Sequence, residues 1–365
     1  MQISTIIAHL ESIAPPAYQE SYDNAGLLTG SGSWECTGVL TTLDATEEVV
    51  LEAIARGCNL IVAHHPIIFG GLKKINGKNY IEKAVITAIK QDIAIYAIHT
   101  NLDNIVGEGV NGRIAEKLGI VNGRPLLPKE STLQKLFCFV PTDHLEPVRQ
   151  AIFAAGAGQI GGYSECSFAA AGAGTFKGGE GTQPFVGQPG VRHEEKETRL
   201  EVILPAVLSR SVVQAMVGAH PYEEVAYDLV PLANAHPGVG SGLIGELPEE
   251  MRETALLDRI KEIFGVPVIR HTRLTGRGVR TIAVCGGAGS FLIPKALSAG
   301  VNFYITSDVK YHEFFDANGQ MVIADIGHFE SEQFTIDLLF EVIREKFRNF
   351  AILKSDTKTN PVHYY

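Results

Sequence analysis

Two adjacent histidines, His64 and His65, close the apolar run Asn59-Leu-Ile-Val-Ala-His-His-Pro-Ile-Ile. Imidazole ligates metals and exchanges protons near neutral pH. Neighbouring residues of a strand face opposite ways, so both rings reach one site only where the strand has ended, and Pro66 predicts that end. Three further segments carry ligand-type side chains directly after apolar runs. His99 and Asp103 follow Ile93–Ile98, Asp308 and His312 follow Phe303–Ile305, and His328 and Glu332 follow Val322–Asp325. Being four apart, His328 and Glu332 share one face at the start of a helix. Imidazoles with carboxylates are a donor set for Zn, Mn, Fe, Co or Ni rather than Mg or Ca. Three histidines and two carboxylates suffice for two such ions, and ions about 3.5–4 Å apart are a hydrolytic device. One such pair is an ordinary polar strand end; four together predict a site.

The elements that must hold these residues alternate. Strands are expected over Val39–Leu43, Leu60–Ala63 and Ile93–Ile98, and helices over Thr46–Arg56, Tyr80–Lys90 and Val110–Leu118. The last third repeats the grammar. Strands are expected at Thr281–Cys285, Phe303–Ile305 and Val322–Asp325, with helices at Phe291–Ser298 and Glu332–Phe347. This predicts an α/β class: a three-layer α/β/α outer domain with mixed, largely parallel sheets, whose strand ends place ligands. Between these halves the order becomes β-α-β-β-α-β: Gln134–Val140, Leu145–Ala155, Tyr163–Ala170, Arg199–Leu204, Ala206–Gly218 and Val225–Val230. That is the ferredoxin-like split unit. The expected division is therefore residues 1–127 with 238–365, split by an inserted ferredoxin-like α+β domain at 128–237. Arg124-Pro-Leu-Leu-Pro-Lys and the Gly-rich stretch from Asn234 read as linkers, and Gly172–Glu197 as a loop or lid.

Composition narrows the partners. A net charge of −10 argues against nucleic acid, which calls for a basic footprint. The five cysteines, odd in number and without a C-x-x-C pair, fit a reducing compartment. No apolar run has the length of a membrane span, so a cytoplasmic protein with a small-molecule substrate is expected.

Several segments together resemble one family, the dinuclear-metal "GTP cyclohydrolase 1 type 2 homologue" (Ngg-one-interacting-factor-three-like) proteins. They are Tyr22-Asp-Asn-Ala-Gly-Leu-Leu, Ala63-His-His-Pro-Ile-Ile-Phe, His99-Thr-Asn-Leu-Asp, Val284-Cys-Gly-Gly-Ala-Gly-Ser, Ile305-Thr-Ser-Asp and Gly327-His-Phe-Glu-Ser-Glu. Gly172-Ala-Gly-Thr-Phe-Lys-Gly-Gly-Glu-Gly and His220-Pro-Tyr-Glu-Glu-Val-Ala-Tyr match its longer form, whose insert is similar to small trimeric signalling and metal-tolerance domains. Tyr22 and Ala25 depart from the family pattern of a Trp and a β-branched residue. The resemblance implies His64, His65, Asp103, His328 and Glu332 as ligands of two divalent transition-metal ions. It also implies a toroidal homohexamer with the metals facing its cavity.

His99 and His312 are candidates for the catalytic acid and base, or for groups that orient ligands or make ordinary hydrogen bonds. Cys285-Gly-Gly-Ala-Gly-Ser is either an anion cradle or a turn for close packing. The expected function is a two-metal hydrolase of a nucleotide-like or other cyclic amide or imidazole substrate. In the GTP version implied by the resemblance, hydroxide attacks C8 of guanine and the imidazole ring opens. His99 or His312 would then protonate the departing nitrogen, and amides near Gly287–Ser290 would take the triphosphate. The alternative is a metal-binding regulatory or metal-delivery protein without turnover.

Overall fold

The computed structural model describes residues 1–365. They divide into two compact units, residues 1–128 with 238–365, and residues 129–237.

Two sheets build the first unit. One has the order Gly26–Thr29, Ala94–Ala97, Leu60–His65, Val39–Asp44, Ile352–Lys354, and three of its four pairings are parallel. The other has the order Arg270–His271, Val322–Asp325, Phe303–Ser307, Gly278–Ala288, Gly240–Arg252, Val121–Pro128. Only two of its five pairings are parallel, so this sheet is less parallel than the alternating pattern predicts.

Strands such as Leu60–Ala63 are apolar at every position because both faces are covered. Leu60, Val62 and Tyr96 of the first sheet share one core with Val284, Phe303 and Ala324 of the second. Helices Ile3–Ile13, Val110–Leu118, Glu253–Phe264 and Thr335–Lys346 pack into that core. On the far face of the first sheet, Ile61, Ala63 and Ile95 pack with side chains of helices Glu47–Ala55 and Tyr80–Lys90. Asn79 caps the second of these by accepting the Glu82 N–H at 2.8 Å.

Two expectations need correction. The first supposed linker is a strand: Val121–Pro128 pairs with Gly240–Arg252, and its prolines and glycine suit an outer position of the sheet, whereas the stretch from Asn234 is irregular until Gly240. The long helix expected over Glu332–Phe347 runs Thr335–Lys346, and Glu332 instead ends a separate short helix, His328–Glu332.

The second unit is a four-stranded antiparallel sheet, ordered Ser167–Phe176, His193–Pro205, Leu133–Pro141, Tyr227–Pro231. Helices Leu145–Ala154 and Ser209–Ala219 cover one face, where Leu136, Val140 and Val202 meet Val148, Ile152 and Met216. The loop expected at Gly172–Glu197 shortens to 177–192, because the Ala/Gly run and the charged run pair residue for residue. Backbone pairing holds a strand whose side chains carry no hydrophobic alternation.

Glu52 fastens the segment after the last strand. It accepts hydrogen bonds from Ser355 Oγ at 2.6 Å, Asp356 N at 2.9 Å and Thr357 Oγ1 at 2.7 Å. Burial would raise its pKa, but these donors and Arg56 hold it at about 2. The folded value lies below the ordinary ~4.3, so the stabilisation is complete above that value and is lost as pH falls toward the folded one. Glu52→Gln is expected to cost roughly 2 kcal/mol at neutral pH. In thermal melts the deficit should shrink as pH drops below about 5; a pH-independent deficit would exclude the carboxylate charge as its source.

Candidate metal centre

The ends of parallel strands from both sheets deliver the cluster. Strand Leu60–His65 ends in the two histidines, and His99 follows Ala94–Ala97. Asp308 follows Phe303–Ser307, and His328 opens the helix after Val322–Asp325. Pairing of the strand continues through His65, opposite Asp44, so the turn at Pro66 is not what unites the histidines. The two rings close around the strand end instead, with centroids 4.9 Å apart.

Each imidazole is held at Nδ1. His64, fully buried, bonds the Ile98 carbonyl at 2.9 Å. His65 bonds Asp44 at 2.8 Å, His99 bonds Asp23 at 2.8 Å and His328 bonds Asp308 at 2.5 Å. Such tethering fixes ring orientation and turns Nε2 to the ligand side. His65 Nε2 and His328 Nε2 lie 2.9 and 3.1 Å from Glu332 Oε2. His64 Nε2 lies 3.6 Å from Asp103 Oδ1 and 3.7 Å from Glu332 Oε1. Three overlapping triads have donor atoms within 4.8 Å of one another: His64, His65, His99; His65, His328, Glu332; and His64, Asp103, Glu332. His312 is elsewhere, exposed on the turn Tyr311–Ala317 and stacked on Phe315.

The charges follow from packing. Burial would raise Glu332, but the imidazoles of His328, His64 and His65 hold it well below the usual carboxylate range. Burial, and then the charge of Glu332, push Asp103 up to about 7. Burial would lower His65 and His328, yet their carboxylate partners hold them at about 9 and about 11. Burial and the nearby carboxylates keep the Cys285 thiol protonated, which removes it as a nucleophile.

A metal ion fits these residues. His64 Nε2 and Asp103 Oδ1 are buried without a hydrogen-bond partner, a cost of about 1–3 kcal/mol each that coordination would relieve. Imidazole nitrogens beside carboxylate oxygens form a transition-metal donor set. The side chains are thus positioned to bind a metal ion.

Two amides of the glycine-rich turn are already engaged. Gly286 N donates to Asn111 Oδ1 and Gly287 N to Ser331 Oγ, both at 3.0 Å, so neither amide is available to a phosphate. A Cβ on Gly287 would lie 2.3 Å from Glu332 Oε1.

Asp23 and Asp44 did not figure among the predicted site residues, although each carried a signal. Asp44 ends an apolar parallel strand, as the histidines do, and Asp23 lies within Tyr22-Asp-Asn-Ala-Gly. A cavity of about 770 Å³ opens over the cluster. Tyr22, Phe69, Tyr80 and Phe291 are among its walls, as are five carboxylates, Glu20, Asp44, Glu48, Asp103 and Glu332. No lysine or arginine lines it.

Fold and site define a class: a two-sheet α/β protein with a partly buried imidazole–carboxylate cluster at its strand ends, interrupted by a second α+β unit. The sequence profile of Duf34/NIF3 (NGG1p interacting factor 3) matches residues 1–361, and the chain belongs to that family. It is 39% identical over 362 residues to a "GTP cyclohydrolase 1 type 2 homolog" of Halalkalibacterium halodurans, spanning 98% of this chain and 97% of the relative. The like-named Bacillus subtilis protein is 37% identical over 363 residues, spanning 98% and 96%. The crystal structure of a Bacillus cereus protein related to NIF3 matches with a TM-score of 0.89 at 40% identity, covering 100% of this chain and 99% of that one. A Staphylococcus aureus crystal structure matches at 0.79 and 28% identity, with the same coverage. No helix is long and apolar enough to cross a membrane.

Gly287→Ala combines a φ of +64° with the clash on Glu332, whereas Gly57 has a φ of +70° and open space. Gly57→Ala should cost about 1 kcal/mol and Gly287→Ala at least ~2 kcal/mol more, read as chemical-denaturation midpoints. Equal costs would mean that the turn does not constrain Glu332.

Proposed function

We propose that the cluster holds two divalent transition-metal ions and that the protein hydrolyses a ring C–N bond in a cyclic amide or imidazole substrate. One observation carries this reading: four imidazoles, each tethered at Nδ1, surround the buried carboxylate of Glu332 and the half-buried one of Asp103 beneath an open cavity. His64, His65, Asp103, His328 and Glu332 are the ligands in this proposal, while Asp44, Asp308 and the Ile98 carbonyl orient them. Bound ions would supply Lewis acidity and lower the pKa of water.

The chain's own contribution is orientation and proton transfer. Asp23, whose carboxyl is buried but held at about 2 by hydrogen bonds from His99 and Thr100, stays ionised. It fixes the His99 tautomer that leaves Nε2 free to take a proton from the attacking water and pass it to the departing nitrogen. His312, outside the cavity lining, has no part in this proposal. Aromatic walls suit a planar heterocycle. The guanine chemistry in the relatives' name is one candidate, and the homohexameric ring and a ferredoxin-like insert belong to the same reading. The insert's strand order supports the latter.

Metal-reconstituted wild type should contain two ions per chain by elemental analysis, and Asp103→Asn at most one. Incubated with GTP and examined by mass spectrometry, only the wild type should give a ring-opened product. Two bound ions with no turnover would favour metal delivery or regulation. His99→Gln should keep its metal but lose about 10²–10⁴ in rate; unchanged turnover would exclude it as the proton carrier. The cavity offers a triphosphate no lysine or arginine, so guanosine should bind at least as tightly as GTP in calorimetry. A strong preference for GTP would overturn recognition through the heterocycle.

A further inference from the structure

The second unit has its own cavity, of about 760 Å³, unrelated to the metal cluster. It lies on the sheet face away from the two helices. The core side chains Cys138, Leu200 and Val202 point to the helices, so the alternating Phe139, Glu197 and Arg199 point the other way. The two sequence motifs of the insert that the metal reading leaves unused both reach it. Gly172–Lys177 comes from one strand edge, and Tyr222 and Glu223 come from His220-Pro-Tyr-Glu-Glu.

The histidine of the second motif is a structural anchor. His220 Nδ1 accepts from Tyr222 N at 3.1 Å, and Nε2 donates to the Phe139 carbonyl at 3.0 Å. Both ring nitrogens are thereby used, and the anchored loop sets Tyr222 among the cavity's other rings. Its centroid lies 5.9 Å from Phe176 and 6.3 Å from Phe185.

Beside these rings sits a buried carboxylate. Glu197 is 8% exposed, and its one hydrogen bond is from the Tyr222 hydroxyl at 3.0 Å. Glycine at 174 makes room for it, since a Cβ there would fall 1.9 Å from Glu197 Oε2. The cation on the same face, Arg199, is committed to Glu201 at 2.6 Å. Glu223 accepts the Gln183 N–H at 3.0 Å, and Lys177 is exposed. A buried carboxylate with only a neutral partner is costly and calls for a positive charge. Aromatic faces around it favour a cation with an apolar body.

We propose that this cavity is a binding site for a small organic ammonium ion, with Glu197 as counter-ion and Tyr222, Phe176 and Phe185 as its walls. The inference is independent of what the metal cluster does.

The test uses the full-length chain and three isosteric probes, benzylammonium, benzyl alcohol and benzoate, titrated by calorimetry and ligand-observed NMR. Benzylammonium should bind at least tenfold more tightly than either analogue. Glu197→Gln, verified as folded by circular dichroism, should weaken it at least tenfold, and Asp103→Asn should leave it unchanged. Equal binding of benzoate or benzyl alcohol would overturn the proposal, as would indifference to Glu197→Gln or failure of all three probes to bind the wild type. Loss in Asp103→Asn instead would place the cation in the acidic cavity over the metal cluster and likewise reject it.

Discussion

A single buried carboxylate organises the first unit. Glu332 is 3% exposed and ionised, and nothing in its surroundings except imidazole can compensate that charge. Three histidines from two sheets therefore have to arrive at one place with their nitrogens correctly turned. Each then needs an acceptor behind it, and the acceptors occupy strand ends of their own. The demand also spreads to the backbone. Gly287 has no room for a side chain because Glu332 lies against it, Gly286 is pressed chiefly by Val110, and Asn111 ties Gly286 to the carbonyl of Asp103.

The architecture answers that demand with little irregular structure. Parallel strands end together, so two sheets can offer several polar residues to one point without long loops. Asp44, His65 and His99 come from one sheet, and Asp308 and His328 from the other. The antiparallel members of the sheets supply cover: Gly26–Thr29 shields the edge beside Ala94–Ala97, and Gly240–Arg252 joins Val121–Pro128 to the second sheet. The second unit is inserted in the chain between those two strands.

Much of this was legible in the sequence. Buried parallel strands announce themselves as unbroken apolar runs, and the ligand-type residues beyond them were visible by position alone. His64, His65, Asp103, His328 and Glu332 do come together. Features without a hydrophobic signature were harder to read. Val121–Pro128 and Ser167–Phe176 are strands by virtue of their partners, and a Pro- or Gly-rich composition disguises them. His312 carried the same positional signal as Asp308, four residues earlier, but a short turn directs it to solvent. Asp23 and Thr359 act through contacts 76 and 315 residues away in the chain, which no local pattern encodes.

That last contact bears on how the molecule comes into being. Thr359 bonds Asp44, which orients His65, so the environment of this histidine is finished by a residue made long after it. In between, the ribosome produces the whole second compact unit. The edge of Val39–Asp44 has no strand beside it until Ile352–Lys354 emerges. Contacts of such long range form late and slowly. A nascent chain therefore holds an incomplete histidine cluster until these distant partners arrive, and the completed geometry of the cluster reports on a finished fold.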